Sequence, residues 1–445
     1  MGDSTQNSLT HHPVSGITHI TYHPWVNHPQ SSTSGVAIFW CAFILGPHAI
    51  GYFGSFYVNK ATGYEIGNRR RLIAVLKLEW VSFLLSFLVY AHLFSIFQPP
   101  YTIFNVNGKN EHLKRRLRRA FVILMFLSNV VYLFYFTDVP WILFEFCALL
   151  QGIWLHLVFF SMLFICLNYF ISIMNVFITL ICTLLLCLIQ WYASDKIVIK
   201  ELTIPLRGIP IGSPPLKLAV ISDLHGGGAV YREEIAKVVD KTNTLNADAV
   251  LLIGDAVDAP RSSIESRMEP LKYLRSRLGT FFVTGNHEYY YGSEQEWIDL
   301  FKSYGMKILQ NQIASLDGVC LVGLNDISSE NSGIPNHNMN VSAVSECRSN
   351  SSIVVMAHNP AAANKIIQYG NNHSLLIELI LSGHTHAAQY YILVPYVMLF
   401  LPYWHGQYTV NYNTTVFVSA GTLYQAAPMK MWGMSEIWLL TLTSL

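Results

Sequence analysis

Short groups of Asp, His and Asn recur through the second half of the sequence, each directly after an apolar run. They are Asp223-Leu224-His225, Gly254-Asp255-Ala256-Val257-Asp258, Gly285-Asn286-His287-Glu288, Ala357-His358-Asn359-Pro360 and Gly383-His384-Thr385-His386. Carboxylate, amide and imidazole groups supply the oxygen and nitrogen ligands that suit Mn, Fe or Zn. Two such cations about 3.5 to 4 Å apart can hold a bridging hydroxide and stabilise both oxygens of an in-line displacement. The pattern therefore predicts a two-metal hydrolytic centre.

The apolar runs before these groups have the length and composition of buried strands. They cover residues 217–222, 249–253, 280–284, 353–357 and 379–382. Helical periodicity over 232–245 and 294–304 separates some of them, which indicates an α/β domain. Such sheets usually build their sites at the C-terminal ends of strands, where all five groups lie. We therefore expect the five groups to meet in one pocket.

The order and spacing of the five groups resemble the calcineurin-like metallophosphoesterase superfamily, from about Lys217 to the C-terminus. The resemblance implies a layered αββα sandwich and two divalent or trivalent metal ions. It implies that Asp255 bridges the metals, with Asp223, His225 and His386 on the first and Asn286, His358 and His384 on the second. It further implies a metal-bridging hydroxide as the nucleophile for in-line attack on phosphorus.

The resemblance assigns supporting roles to two neighbours of these residues. His287 is not a ligand in this pattern and would protonate the leaving oxygen or contact the phosphoryl group, since histidine can donate a proton near neutral pH. Asp258 would hold its own loop or orient a ligand from the second shell. Taken singly, each Asp or His could equally be a satisfied polar residue near a strand end. The joint occurrence in register favours the metal site.

Three local features leave alternatives open or depart from the family pattern. His384 and His386 are two residues apart, so a strictly extended chain would point both the same way, whereas a turn would split them between metals. The run Gly226 to Gly228 could let the backbone approach phosphate or form a plain turn. Ala387 and Ala388 stand where many relatives have two glycines, which should narrow the backbone options without removing a ligand.

Composition places the first half of the chain in a membrane. Hydrophobic residues make up 52% of the 445 residues and charged residues 12%, against about 25% charged in soluble proteins. Apolar runs at 36–58, 78–97 and 120–136 are long enough to span hydrocarbon, and the uncharged stretch between Glu145 and Asp195 fits two further helices turning near Asn168. We expect a disordered polar tail over 1–33, about five membrane helices over 34–195, a linker over 196–212 and the catalytic domain over 213–445. The net charge of +1 gives no field for nucleic acid.

Two sequence signals for the orientation of the membrane region conflict with each other. Basic clusters at 69–71 and 114–119 lie in successive loops and cannot both be cytoplasmic. Placing the denser second cluster inside puts the C-terminal half outside the cytosol, where Asn-x-Ser/Thr triplets at 340, 350, 372 and 413 permit glycosylation. Cys320 and Cys347 could pair in an oxidising compartment, although two cysteines are weak evidence for a disulfide.

Two stretches and the substrate class stay open. Residues 325–352 indicate a long surface loop, and the apolar stretch 390–404 indicates a core strand pair in preference to a flap that dips into the membrane interface. Membrane anchoring suggests a phosphorylated small-molecule or lipid-like substrate. The alternative function is a catalytically weak receptor, scaffold or transporter that keeps the fold as a binding module; Glu79, His92, Glu145 and His156 in or near spans could hint at a polar pathway.

Overall fold

The first part of the structure is a bundle of five long helices. The computed structural model describes residues 33–61, 64–95, 109–136, 139–171, 176–290, 294–348, 351–410 and 414–445. The helices are α1 (Thr33–Val58), α2 (Tyr64–Phe94), α3 (Lys109–Val130), α4 (Trp141–Ile171) and α5 (Val176–Ser194). Among the described residues, these five helices are long and apolar enough to cross a membrane, the third together with the turn that follows it. The polar tail expected over 1–33 lies almost entirely outside the described residues.

The helix bounds differ from the sequence expectation in two places. Helix α2 begins at Tyr64 and so contains the basic cluster that was expected to precede the span. Helix α4 continues through the turn expected near Asn168 and ends at Ile171. Around Asn168 the sequence carries no Pro or Gly that would stop a helix, and apolar side chains continue on both sides of it.

The C-terminal part contains two six-stranded sheets. The strands are β1 (Val198–Leu206), β2 (Leu216–Ile221), β3 (Ala249–Ile253), β4 (Thr280–Val283), β5 (Lys307–Ile308), β6 (Gln312–Leu316), β7 (Val319–Gly323), β8 (Ser352–Met356), β9 (Ile377–Ser382), β10 (Gly406–Val410), β11 (Thr414–Val418) and β12 (Glu436–Ser444). The first sheet has the order β1-β12-β2-β3-β4-β5, and the second has the order β10-β11-β9-β8-β7-β6. Strands β2, β3 and β4 are mutually parallel, as are β7, β8 and β9.

The two sheets pack face to face with helices on both outer sides, which gives the expected αββα sandwich. Alternate residues of one strand enter different layers: Leu218 and Val220 lie between the sheets, whereas Ala219 and Ile221 face the outer helices. The outer helices are α6 (Arg232–Thr244), α7 (Arg261–Met268), α8 (Glu294–Ser303), α9 (Ala363–Asn372) and α10 (Val394–Phe400). The helices Arg232–Thr244 and Glu294–Ser303 agree closely with the periodicity expected over 232–245 and 294–304.

Residues expected to form a linker over 196–212 are largely a strand. Strand β1 pairs in parallel with β12 over nine residue pairs, from Val198 with Glu436 to Leu206 with Ser444. Burial alone would raise the pKa of Glu436, but hydrogen bonding and attraction to His405 and Lys200 lower it to about 2. The chain that leaves the membrane therefore enters the sheet almost at once.

The expectation of a long surface loop over 325–352 is corrected by the structure. The stretch expected as a surface loop over 325–352 contains buried apolar residues, among them Val341 and Val344, packed on the outer face of the second sheet. Cys320 and Cys347 are bonded to each other, which ties the end of this stretch to β7.

The apolar stretch at 390–404 contains a helix, so the expected core strand pair is wrong. Helix α10 has no buried residue, and Tyr396, Leu399 and Phe400 are 63%, 81% and 65% exposed. Two prolines prevent this segment from joining a ladder, and its apolar side chains face outward.

The helical bundle packs against the sheet domain along α4 and α5. Tyr390 and Ile392 pack with Cys187 of α5 and with apolar residues of α4. The side-chain oxygen of Gln190 accepts a hydrogen bond from the backbone N–H of Tyr391. At the start of α4, the Tyr231 hydroxyl donates to Glu145 over 2.8 Å. These contacts place one end of the bundle beside the segments that follow β2 and β9.

Candidate metal centre

All seven predicted ligands lie immediately after strands of the two sheets. Asp223 and His225 follow β2, Asp255 follows β3, Asn286 follows β4, His358 follows β8, and His384 and His386 follow β9. Their side chains are buried except for that of His384, which is partly exposed. The structure therefore brings together the groups that the sequence analysis expected to meet.

Five of the seven positions have left-handed backbone conformations, namely Asp223, His225, Asp255, His384 and His386, with φ between 48° and 71°. A residue with a Cβ atom pays roughly 1 kcal/mol or more for this conformation. Strain of this kind is concentrated at functional sites, where the surrounding structure holds it in place. The backbone at these strand ends thus adopts unfavourable conformations that place the five side chains in the site.

The first cluster contains Asp223, His225 and His386, whose ligand atoms lie within 4.8 Å of one another. The Nε2 atoms of His225 and His386 are 2.9 Å apart, and Nε2 of His386 lies 3.5 Å from Oδ1 of Asp223. Asp223 is held by the Ser222 hydroxyl, which donates to its Oδ2 over 2.5 Å. This is the set that the resemblance assigns to the first metal.

The second cluster contains Asp255, His358 and His384, again within 4.8 Å. Nε2 of His358 lies 3.1 Å from Oδ2 of Asp255, and Nδ1 of His384 lies 2.8 Å from Oδ1 of Asn286. Oδ2 of Asp255 is also 3.8 Å from Nε2 of His225 in the first cluster. Asp255 therefore contacts both clusters, as a bridging ligand must.

A turn after β9 separates His384 from His386, which settles the alternative left open by their spacing. His384 faces Asn286 and His358, and His386 faces Asp223 and His225. The turn continues in the left-handed region through Ala387 (φ 49°) and Ala388 (φ 74°). The two alanines thus carry a backbone that glycine would adopt at lower cost, and they leave the ligand positions intact.

Glycines at strand ends let the loops approach the ligands closely. A Cβ at Gly285 would lie 2.2 Å from Oδ1 of Asp255. In the glycine run after β2, Gly228 has φ 52°, and a Cβ there would lie 2.8 Å from the ring of Phe144 in α4. The run forms a turn that packs against the membrane bundle.

His287 and Asp258 form one hydrogen-bonded unit with His225. Oδ1 of Asp258 lies 2.9 Å from Nδ1 of His225 and 2.5 Å from Nδ1 of His287. This contact directs both Nε2 atoms toward the centre of the site, and that of His287 lies 3.0 Å from Nε2 of Gln425. His287 also falls within 4.8 Å of ligand atoms of His225 and Asp255, so distance alone would permit it to bind a metal.

Glu288 supports the site and received no role in the sequence analysis. This buried carboxylate accepts hydrogen bonds from the backbone N–H groups of Asp255, Ala256 and Gly285 over 3.0, 2.7 and 2.6 Å. Burial and the nearby Asp255 raise the pKa of Glu288 to about 7, while the N–H donors favour its ionised form. The position of Glu288 beside Asn286 and His287 was the available signal, but two of its three partners, Asp255 and Ala256, belong to another loop 33 and 32 residues away.

The charges of the cluster are suited to binding cations. Burial acts against ionisation of Asp255, yet attraction to His358, His287 and His225 keeps its pKa well below the usual range. Burial lowers the pKa of His225, but attraction to Asp258, Asp255 and Asp223 raises it to about 9. In contrast, burial and repulsion by His225 hold the pKa of His386 well below its usual value. Buried carboxylates therefore create a demand for positive charge that two metal ions would meet, and the converging oxygen and imidazole donors fit such ions.

The second half of the chain matches known metallophosphoesterases. A family model described as calcineurin-like phosphoesterase matches residues 216–388. A transmembrane protein with metallophosphoesterase domain from Danio rerio is 35% identical over 54% of this chain and 56% of its own length. Its Bos taurus counterpart is 34% identical over 55% and 57%, and a putative metallophosphoesterase from Caenorhabditis elegans is 36% identical over 55% and 52%.

The match extends to part of each relative only. The chain spans about half the length of these curated relatives. A solved dimetal phosphatase from Danio rerio is 11% identical over 47% of this chain and 88% of its own, with a TM-score of 0.33. The matched residues 216–388 contain every predicted ligand together with Asp258 and His287, so this part of the chain is similar to the calcineurin-like phosphoesterases.

Proposed function

We propose that this protein is a membrane-anchored phosphoester hydrolase that depends on two metal ions. The observation that carries the proposal is the convergence of Asp, Asn and His donors from five strand ends on two clusters that share Asp255. Asp223, His225 and His386 would hold one ion, and Asn286, His358 and His384 the other. Mn, Fe or Zn fits this donor set. When bound, such a pair activates water as a nucleophile and stabilises charge on the phosphoryl oxygens.

The residues of the chain position the reacting groups. Asp258 fixes the ring orientation of His225 and His287 through their Nδ1 atoms. With Nδ1 engaged, Nε2 of His287 is the atom that can give a proton to the leaving oxygen. Gln425 lies against the same Nε2 atom and would yield to the substrate or orient the ring.

The proposal is tested on the full-length chain purified in detergent with added Mn. We expect hydrolysis of p-nitrophenyl phosphate, and we expect Asp255→Asn to lower the rate at least a hundredfold because the shared carboxylate is lost. Asp299→Asn makes the same chemical change at an exposed position of α8 and should leave the rate unchanged. Equal rates for Asp255→Asn and the wild type would refute the proposal.

A binding module without catalysis is the competing function. Two of the polar residues that hinted at a pathway through the membrane have packing roles: Glu145 accepts from Tyr231, and His156 lies 2.6 Å from Gln190. We therefore favour the enzyme. Metal analysis separates the two, since about two equivalents of bound metal with turnover support the enzyme, and less than one equivalent without turnover supports the module.

We further propose that the sheet domain lies outside the cytosol. The Cys320–Cys347 disulfide is suited to an oxidising compartment, and Asn340 and Asn372 are exposed. The conflict between the two basic clusters is eased by contacts of the first with the domain: Arg70 donates to the side-chain oxygen of Asn331 over 2.9 Å. The second cluster, in α3, then acts as the cytoplasmic signal. Digestion of the domain by protease added to the cytosolic side of sealed vesicles would contradict this orientation.

The bilayer itself is the proposed partner of α10. Leu186 of α5, which packs with Tyr390 and Ile392, lies eight residues before the helix end at Ser194, which is about 12 Å along the helix axis. The segment leading into α10 therefore lies beside the membrane-spanning part of α5. Its exposed apolar side chains suit the lipid interface. This arrangement supports a phosphorylated small-molecule or lipid-like substrate, and we expect no nucleic acid partner.

A further inference from the structure

A cavity of about 530 Å³ lies between the membrane bundle and the metal centre. One wall comes from the bundle: the 3-10 turn Val131–Phe136 that follows α3, and Trp141 and Phe144 in the first turn of α4. The other wall comes from the sheet domain and includes Asp258 and Tyr290. A volume of this size is typical of sites that bind small organic ligands.

The cavity shares its inner wall with the proposed active site. Asp258 contacts both His225 and His287. The Tyr290 ring lies 4.7 Å from the His287 ring, measured between centroids, and the Tyr290 hydroxyl accepts a hydrogen bond from Nδ2 of Asn286. The cavity therefore borders the side chains that hold His225, His287 and Asn286 in place.

The chemistry of the lining differs between the two ends. Toward the bundle the lining is aromatic, with Phe134, Tyr135 and Phe136 beside the start of α4. At the boundary with the metal centre, the guanidinium carbon of Arg71 lies 4.6 Å from the centroid of Tyr290 and 4.9 Å from that of Tyr135. A lining that combines this aromatic wall with polar groups, and that has the Arg71 guanidinium beside its inner end, fits a molecule with an apolar body and an anionic head.

From this geometry we infer that the cavity binds the apolar portion of an amphiphilic phosphoester, a phosphate carried on an alkyl chain of the kind found in a bilayer. The inference rests on the proposed phosphoesterase activity and specifies its substrate class. The membrane bundle is then part of the substrate site, because its aromatic residues form the wall that selects the chain.

The variant Ser263→Trp tests the inference by filling the cavity. Ser263 is an exposed residue of α7 that lines the cavity, so its replacement removes no core packing and touches no predicted ligand. Ser262→Trp is the matched control, since Ser262 is also exposed and does not line this cavity. Both variants are compared with the full-length wild type in detergent with Mn.

Comparing three substrates distinguishes binding in the cavity from catalysis at the metal centre. Removing four methylene groups fully from water favours binding by roughly 200-fold. Because the cavity is open on one side, we expect kcat/KM for octyl phosphate to exceed that for butyl phosphate by at least tenfold in the wild type. Ser263→Trp should remove most of this preference while methyl phosphate, whose alkyl group is too short to occupy the cavity, is hydrolysed at an unchanged rate, and Ser262→Trp should retain the preference.

Equal kcat/KM for octyl and butyl phosphate in the wild type would overturn the inference, as would an equal loss on all three substrates in Ser263→Trp. Binding of octylphosphonate, which has no ester bond, gives a readout independent of turnover by isothermal titration calorimetry. If no substrate is hydrolysed, the proposed activity fails. Tight octylphosphonate binding that weakens at least tenfold in Ser263→Trp would still support the cavity assignment, and unchanged binding would reject it.

Discussion

Replacing Glu288 by glutamine tests whether this carboxylate holds in place the loops that carry the predicted metal ligands. The two oxygens of Glu288 accept three backbone N–H groups, those of Asp255, Ala256 and Gly285. The single carbonyl oxygen of a glutamine can take over the two bonds made by Oε2. Its NH₂ group then faces the Ala256 N–H, so a hydrogen bond to a charged acceptor is lost and a buried donor has no partner. That costs about 3 kcal/mol.

The loss should appear both in stability and in metal binding. For a domain of this size, about 3 kcal/mol corresponds to a fall in Tm of roughly 6 to 12 °C. The Asp255 backbone is one of the groups released, so we also expect Mn to bind about 10 to 100 times more weakly, as when other partners of ligand residues are removed. Differential scanning fluorimetry and calorimetric titration with Mn measure the two effects on the full-length chain.

The exposed Glu296 in α8 provides the matched control. Glu296→Gln removes the same charge without a buried hydrogen bond and should change neither quantity. If Glu288→Gln matched Glu296→Gln in both Tm and Mn affinity, the three hydrogen bonds would not position the site, and the reasoning would be wrong.

Three other measurements test the fold around the site. The pKa of Glu436 is lowered to about 2, so the ionised carboxylate adds about 3 kcal/mol to the free energy of unfolding above pH 4.5, and this contribution is lost as the pH falls toward 2. The stability difference between wild type and Glu436→Gln should therefore disappear over that interval. A difference that stays constant with pH would contradict the assignment. The disulfide closes a sequence separation of 27 residues, so Cys320→Ser should lower the free energy of unfolding by about 4 kcal/mol in non-reducing buffer, whereas stability equal to wild type would show that Cys347 is not bonded. If α10 lies in the lipid interface, Leu399→Glu in vesicles should accelerate backbone hydrogen exchange over 394–401 at least tenfold. Ile211→Glu, at a position 91% exposed, should not change this exchange. Equal exchange in the two variants would show that α10 does not contact the bilayer.

The ligand-bearing strands could be predicted because their signal is local. Ala249–Ile253 is a short apolar run with buried side chains on both faces of the sheet, and the polar group that follows it marks the strand end. The pairing of His384 and His386 with different partners did not follow from their spacing and was implied only by the family resemblance, since it depends on left-handed residues after β9. The clamp by Glu288 likewise depends on two loops that meet only in the folded chain.

The remaining errors share a physical cause: where the local sequence favours no one secondary structure, partners distant in the chain determine which structure forms. Val198–Leu206 has no strong strand signal at its Pro205 end, yet β12 supplies nine pairing residues and makes it an edge strand. The stretch 390–404 is apolar enough for a core, and soluble domains would bury it. Here the neighbouring helices α4 and α5 pack against Tyr390 and Ile392 and leave the outer face of α10 exposed. In a chain that combines a bundle and a sheet domain, an apolar run is thus compatible with core or with bilayer, and contacts across the two halves determine which environment it occupies.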